Sequence, residues 1–138
     1  MTPVAPLVDQ RQVRRNFARA ARTYDEVAVL QREIGSRMLE RLDYVRIEPE
    51  CVLDLGCGTG ASLTALHQRY PYARLIGADL SAPMLQASRR QRSRLRWLLP
   101  FLRGHDTPLV AADATLLPFA PRSISLLWSN LMLHWLDD

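Results

Sequence analysis

An α/β fold built on a doubly wound parallel sheet is predicted by three observations on the 138 residues. Short apolar runs alternate with helical periodicity, a glycine-rich turn follows the first run, and an aspartate lies at or near the end of the first three runs. Parallel strands need a helical crossover to bring the chain back to the same edge, so the alternation itself selects this class. A hydrophobic share of 48% with 23% charged residues fits one soluble globular domain. No apolar run reaches the ~20 residues of a spanning helix, and the opening MTPVAPLVDQ lacks the apolar core of a secretory signal. Cys51 and Cys57 would close too small a ring for a disulfide scaffold, so a reducing cytoplasm is the simplest setting.

The elements follow in order. Val13, Phe17, Ala20, Tyr24, Val27, Gln31, Ile34, Met38 and Leu42 recur every three or four residues, which predicts two helices, the second capped by Thr23 or Asp25. An Arg-rich amphipathic start also occurs in mitochondrial targeting peptides, but Asp9, Asp25 and Glu26 count against that. Pro49 breaks the pattern. CVLDL at 51–55 has the look of a buried parallel strand, ASLTALHQRY of a helix, RLIGAD at 74–79 of a second strand and SAPMLQASRR of the next helix. PLVAAD at 108–113 and SISLLWS at 123–129 supply a third and a fourth strand. The expected organisation is a helical segment over 1–48 and an α/β domain over 49–138.

Charge is uneven. All 18 basic residues are arginines; six of them and no acid fall within 84–104, while the net charge of the whole chain is +4. A protein that coats nucleic acid would spread its charge, so no nucleic-acid partner is expected, whereas one basic face for an acidic partner is. The stretch RRQRSRLRWLLPFLRGHD is read as a solvated extension of the preceding helix, as an amphipathic dock for an acidic partner or, third, as a membrane-surface helix.

The chemistry concentrates in Asp54-Leu55-Gly56-Cys57-Gly58-Thr59-Gly60, where a strand hands over to a helix. Glycine there lets the backbone turn sharply and approach a ligand closely, although a plain tight turn reads the same way. The spacing is G-x-G-x-G rather than the dinucleotide G-x-G-x-x-G, which argues against a nicotinamide dehydrogenase. Asp79 ends the second strand, from which a carboxylate can accept both hydroxyls of a ribose, and Asp113 ends the third, within reach of an adenine amino group. Each alone could be a cap or turn residue; together with the glycine turn they predict a nucleoside site at one carboxyl edge. His67, His105 and His134 have no metal-ligand spacing and read as surface or helix-end residues, and Cys57 as a small packing residue.

Taken in order, VLDLGCGTG, GADLSAPML, AADATLLPF and SNLMLHWLDD resemble the successive motifs of class I S-adenosylmethionine-dependent methyltransferases. FARAARTYDEVAVLQ is similar to the opening of the malonyl-acyl carrier protein O-methyltransferases of biotin synthesis, and the resemblance spans roughly residues 12–138. A branch that hydroxylates an arginine of a respiratory-complex subunit is also resembled, through REIGSRMLERLDY and LHW. The resemblance implies a Rossmann-like sheet with an N-terminal helical lid and S-adenosyl-L-methionine as cofactor. It further implies that Gly56, Gly58 and Gly60 let the methionine end of the cofactor lie on the backbone and that Asp54 supports its amino group. Asp79 would hold the ribose, Leu80 and Met84 would pack on the adenine, and Asp113 and Ala114 would meet its polar edge. Asn130 would sit under the sulfonium, and Tyr24 would close over the reacting methyl as the catalytic lid residue. Leu80, Met84 and Tyr24 have ordinary core roles as their alternative. An acidic acyl carrier protein is the implied partner, docking on Arg89, Arg90, Arg92, Arg94 and Arg96.

The fold so implied continues past its fourth strand, yet the sequence stops at Leu136-Asp137-Asp138. The expectation is therefore the cofactor-binding portion of a longer protein or a truncated product, its C-terminal strands missing and its strand at 123–129 left with an apolar, unpaired edge. A non-catalytic cofactor-binding or interaction module is the remaining alternative.

Overall fold

The structure, a computed structural model, describes residues 9–21, 23–24, 28–103, 106–133 and 136. Helix α1 spans Gln10–Ala20, and the Asp9 carboxylate starts it by accepting from the backbone N–H of Arg11 at 2.9 Å and of Gln12 at 3.3 Å. Helix α2 spans Val29–Arg41 and runs into a 3₁₀ turn at Leu42–Tyr44. Its N-cap is Ala28, with no side-chain cap, so Thr23 does not cap this helix, although Tyr24 directly after it is helical; Asp25 lies outside the described residues. Then β1 (Cys51–Leu55), α3 (Leu63–Arg69), β2 (Arg74–Asp79), α4 (Ala82–Leu98), a 3₁₀ turn at Pro100–Leu102, β3 (Leu109–Ala111) and β4 (Leu126–Trp128) complete the order.

All pairings are parallel, in the order β3-β2-β1-β4, as the alternation of strand and helix predicts. The chain winds from β1 outward to β2 and β3, then crosses β1 to place β4 on its other side. That reversal opens a crevice at the carboxyl end of β1, where ligands bind in sheets of this kind.

Alternation along the inner strands divides the core into two layers. Val52, Leu75 and Trp128 face Leu63 and Leu66 of α3, with Met38 and Leu39 of α2 packed onto the same layer. Leu53, Leu55, Ile76 and Ala78 face the other way, onto Val110, Ala112, Phe119, Ile124 and Met132. Helix α4 lies against β2 and β3 and touches α1, which brings the N-terminal helices over the sheet.

The outer strands are shorter than the apolar runs predict. After β3, Ala112 N–H still donates to Asp79 C=O, but the Asp113 carboxylate then accepts from Thr115 N–H and turns the chain away. Before β4 the contact with β1 is made by Ser125, whose N–H donates to Cys51 C=O and whose Oγ accepts from Cys51 N–H, because Pro121 and the left-handed Arg122 (φ 61°) place a turn ahead of it. β4 is an outer strand of the described sheet and its Leu127 is half exposed. His67 lies in the last turn of α3, a helix-end position as expected, but it is not at the surface: it is buried and stacks on Phe101 at 6.4 Å. His105 and His134 lie outside the described residues.

Gly60 has a packing role. Its φ is +85°, and a Cβ there would come within 2.3 Å of Ser88 Oγ on α4 and 3.1 Å of Leu63 Cδ1, whereas a Cβ on Gly58 would meet nothing within 4 Å. Gly60→Ala is expected to cost about 2 kcal/mol or more in urea unfolding and Gly58→Ala about 1 kcal/mol, the backbone contribution alone. Equal losses would contradict the packing role.

Candidate functional site

The turn after β1 is held from β2. The Ala78 carbonyl accepts from both Gly56 N–H (2.8 Å) and Cys57 N–H (3.0 Å), while the Asp79 carboxylate accepts from Gly58 N–H through Oδ2 and from Ser81 N–H through Oδ1, each at 2.8 Å. Gly56, Gly58 and Gly60 all have positive φ, as such a turn requires. Burial raises the Asp79 pKa, against the two backbone N–H groups that favour its ionised form. Burial first, and the neighbouring Asp54 and Asp79 after it, push the Cys57 thiol far up, so it packs as a neutral side chain, in keeping with the sequence reading.

Two hollows open over this turn. The first holds about 740 Å³ of space open to solvent between the turn and α1; its wall includes Gly56, Gly58, Asp79, Leu80, Met84, Asp113, Ala114 and Asn130. The second, of about 940 Å³, lies under α2 and is lined by Asp54, Gly56, Cys57, Gly58, Thr59 and Asn130 among others. Tyr24, Gly56, Gly58 and Asn130 line both, so the hollows are neighbouring compartments of one crevice.

Every candidate residue except Gly60 therefore lines the crevice. Gly60 is occupied with Ser88 and Leu63 instead, so it shapes the turn from behind rather than offering backbone to a ligand. Met84 is both core and floor, at 1% exposure. Asp113 has Oδ1 committed to Thr115 N–H (2.8 Å) and Thr115 Oγ1 (2.7 Å), bonds that hold its pKa below the ordinary value; this leaves Oδ2 for any ligand. Tyr24 stands 6.2 Å from Phe17, ring to ring, beneath α1.

Asp54 is the electrostatic outlier. It is buried, its Oδ2 lacks a hydrogen-bond partner, and desolvation, with repulsion from Asp79 second, lifts its pKa to about 7. Asn130 shows a second unmet group. Its side-chain NH₂ donates to Gln31 C=O on α2 at 2.7 Å, while Oδ1 is buried without a partner. Gly35 permits this approach, because a Cβ there would fall 2.9 Å from Asn130 Nδ2.

Sequence reasoning did not single out Val13, Arg14 and Phe17 of α1, Gly35 of α2, or Met132, which fill the remaining walls. Val13 and Phe17 stand in the apolar stripe and so carried a signal, but one indistinguishable from core. Gly35 sits mid-helix, where a glycine has no helical advantage, and its close neighbour is distant in sequence.

The family described as "Methyltransferase domain" matches residues 52–138, which covers the sheet and the crevice. The chain belongs to the methyltransferase domain family. It is 47% identical over 138 residues to a malonyl-acyl carrier protein O-methyltransferase of Methylovorus sp. (strain MP688), covering 100% of this chain and 46% of that protein. The enzyme of the same name from Halorhodospira halophila is 46% identical over 134 residues, or 97% of this chain and 42% of the relative. The chain thus spans less than half the length of these curated relatives. Among solved structures, an S-adenosyl-L-methionine-dependent methyltransferase candidate from Methanococcus maripaludis superposes with a TM-score of 0.71 at 20% identity, covering 88% of this chain and 53% of the other. The geranyl diphosphate C-methyltransferase of Streptomyces coelicolor A3(2), solved with S-adenosyl-L-homocysteine, gives 0.60 at 25% identity over 74% of this chain and 37% of its own. The Rossmann-like methyltransferase fold expected from the motifs is therefore the fold observed.

A carboxyl whose pKa in the fold exceeds its unfolded value takes up a proton on folding, so its contribution to stability falls as pH rises from about 4 to about 7 and is level above. Asp54→Asn is expected to remove that fall and so to gain on the wild type across this range, by at most about 4 kcal/mol. Urea unfolding of both proteins at pH 5 and pH 8 checks it. A difference between them that does not change with pH would contradict the burial-raised carboxyl.

Proposed function

We propose that the crevice binds S-adenosyl-L-methionine and that this chain is the cofactor-binding part of an enzyme that methylates the free carboxylate of malonyl-acyl carrier protein. The observation that carries the cofactor reading is the pairing of an open glycine turn with Asp79. Gly58 leaves free space where a Cβ would stand, and the Asp79 carboxylate lies at the cavity wall with lone pairs to spare for two ribose hydroxyls. Asp54 fits the other end: its orphaned Oδ2 would take the hydrogen bond of an ammonium group, whose charge would draw the carboxyl into its ionised form. Leu80 and Met84 would flank the adenine, and Asp113 Oδ2 with Ala114 would meet its polar edge.

The bound cofactor supplies a methyl group on a cationic sulfur that already carries its leaving group. The remaining task for the protein is to hold a nucleophile in line and to exclude water. A malonyl carboxylate is ionised at neutral pH and needs no general base, so the carboxylates of the crevice walls are left to hold the cofactor. The segment 1–48 serves as the lid. Tyr24, which faces both compartments, closes over the reacting centre, and Asn130 lies beneath it while fastening the loop after β4 to α2. Arg14, the cation in the wall of the first compartment, is placed to meet the acceptor's carboxylate. The acceptor itself is argued from the names of relatives with 37–47% identity.

An acidic carrier protein would meet the basic surface of α4. Of the five arginines expected to dock it, Arg90 and Arg94 are exposed and share a face with the exposed Trp97, whereas Arg92 is buried; Arg89 and Arg96 line a hollow with it. Docking therefore falls to Arg90, Arg94 and Trp97. No helix among the described residues is long and apolar enough to cross a membrane. A cytoplasmic setting goes with this reading, and both cysteines are free thiols.

Calorimetric titration with S-adenosyl-L-homocysteine and, separately, NAD tests the cofactor. Micromolar binding of the first, weakened tenfold or more by Asp79→Ala, is the expected result; binding of NAD alone would overturn the reading.

A further inference from the structure

The arginines of α4 divide into two sets, and the inward set forms a site of its own. Arg89, Arg92 and Arg96 recur at helical spacing on one face and look across a hollow of about 840 Å³ toward Asp106, Thr107, Pro108 and Leu109, the segment leading into β3. This hollow lies at the amino end of the sheet and is separate from the crevice over the glycine turn.

Arg92 is the unusual member. Its side chain is only 6% exposed, Nη2 donates to Thr107 Oγ1 at 2.6 Å, and Nη1 is buried with no hydrogen-bond partner. Arg89 Nη2 reaches the Leu109 carbonyl at 3.4 Å, a weak contact. Asp106 lines the hollow, but among the described residues no carboxylate comes within ion-pair distance of any of the three arginines. Asp106 acts on Arg92 only through space, and among the described residues three guanidinium groups against that one carboxylate leave a net positive site. A buried guanidinium with an unmet N–H is costly unless something supplies the missing acceptor.

We infer that this hollow is an anion site for a phosphate group, free or as a terminal monoester, held by Arg92 from within and by Arg89 and Arg96 at its mouth. A phosphate dianion offers acceptors in several directions at once. It can accept from the two flanking arginines and, with a turn of the Arg92 guanidinium that brings Nη1 out to the hollow, from Arg92 as well, neutralising the surplus charge, which a single carboxylate such as Asp106 does only in part. Arg90 and Arg94, on the outward face, take no part.

The test is thermal unfolding of the 138-residue protein in 10 mM inorganic phosphate, in 10 mM glycerol 3-phosphate, and in chloride at matched ionic strength. Phosphate is expected to raise Tm saturably by about 3 °C or more over chloride. Arg89→Gln and Arg96→Gln should abolish that rise, and Arg90→Gln and Arg94→Gln should keep it. Because the informative substitutions are at the mouth of the hollow, the test stands even where Arg92→Gln fails to fold. The probe with the lower half-saturation identifies the physiological form as free ion or ester. A response equal to that of chloride, or one that survives loss of both Arg89 and Arg96, would overturn the inference.

Discussion

One carboxylate, Asp79, joins the two halves of the site. It ends β2, accepts the Gly58 N–H of the turn after β1, and accepts the Ser81 N–H that opens α4. The turn, the sheet edge and the crossover helix are thus held to a common point. The parallel register that pairs Asp54 with Gly77 and Leu55 with Ala78 sets that point, and the Ala78 carbonyl repeats the restraint by accepting two successive N–H groups of the turn. Removing the carboxylate would leave donors unpaired in a half-buried site, a loss larger than that of an ordinary exposed hydrogen bond.

Around this point the protein keeps several groups in states that packing alone would not favour. Asp54 is buried without a partner for one oxygen, Asn130 likewise, and Leu131 holds a left-handed backbone at φ 52° beside it. Each is a cost to the fold by itself. All three lie where the crevice, the loop after β4 and helix α2 come together. Their coincidence is understood if the local fold is shaped for a ligand that supplies an ammonium and further polar groups, and it is hard to explain as packing.

Much of this was legible beforehand. β1 and β2 have their predicted bounds because both are inner strands, buried on both faces, and read as continuous apolar runs. The outer strands did not, since pairing on one side makes their length depend on local turns, at Asp113 and at Pro121-Arg122, rather than on apolar content. The glycine turn and Asp79 were visible because local chemistry marks them, and Met84 only through the resemblance of GADLSAPML to a family motif. The Asn130–Gln31 clasp was not, for it joins residues 99 positions apart and rests on the absence of a side chain at Gly35. Nor could helical spacing alone reveal that Arg92 is drawn inward: that follows from Thr107, which the fold brings beneath it from the loop before β3.

The N-terminal helices belong to the same arrangement. α1 rests on α4, α2 is fastened to the loop after β4, and Phe17 and Tyr24 close the space between. The most direct measurement of the central claim is a crystal structure of this chain with S-adenosyl-L-homocysteine. The account predicts ribose hydroxyls within hydrogen-bonding distance of both Asp79 carboxylate oxygens, with the amino group of the homocysteine end on Asp54. Density for the ligand elsewhere, or a ribose that makes no contact with Asp79, would contradict it.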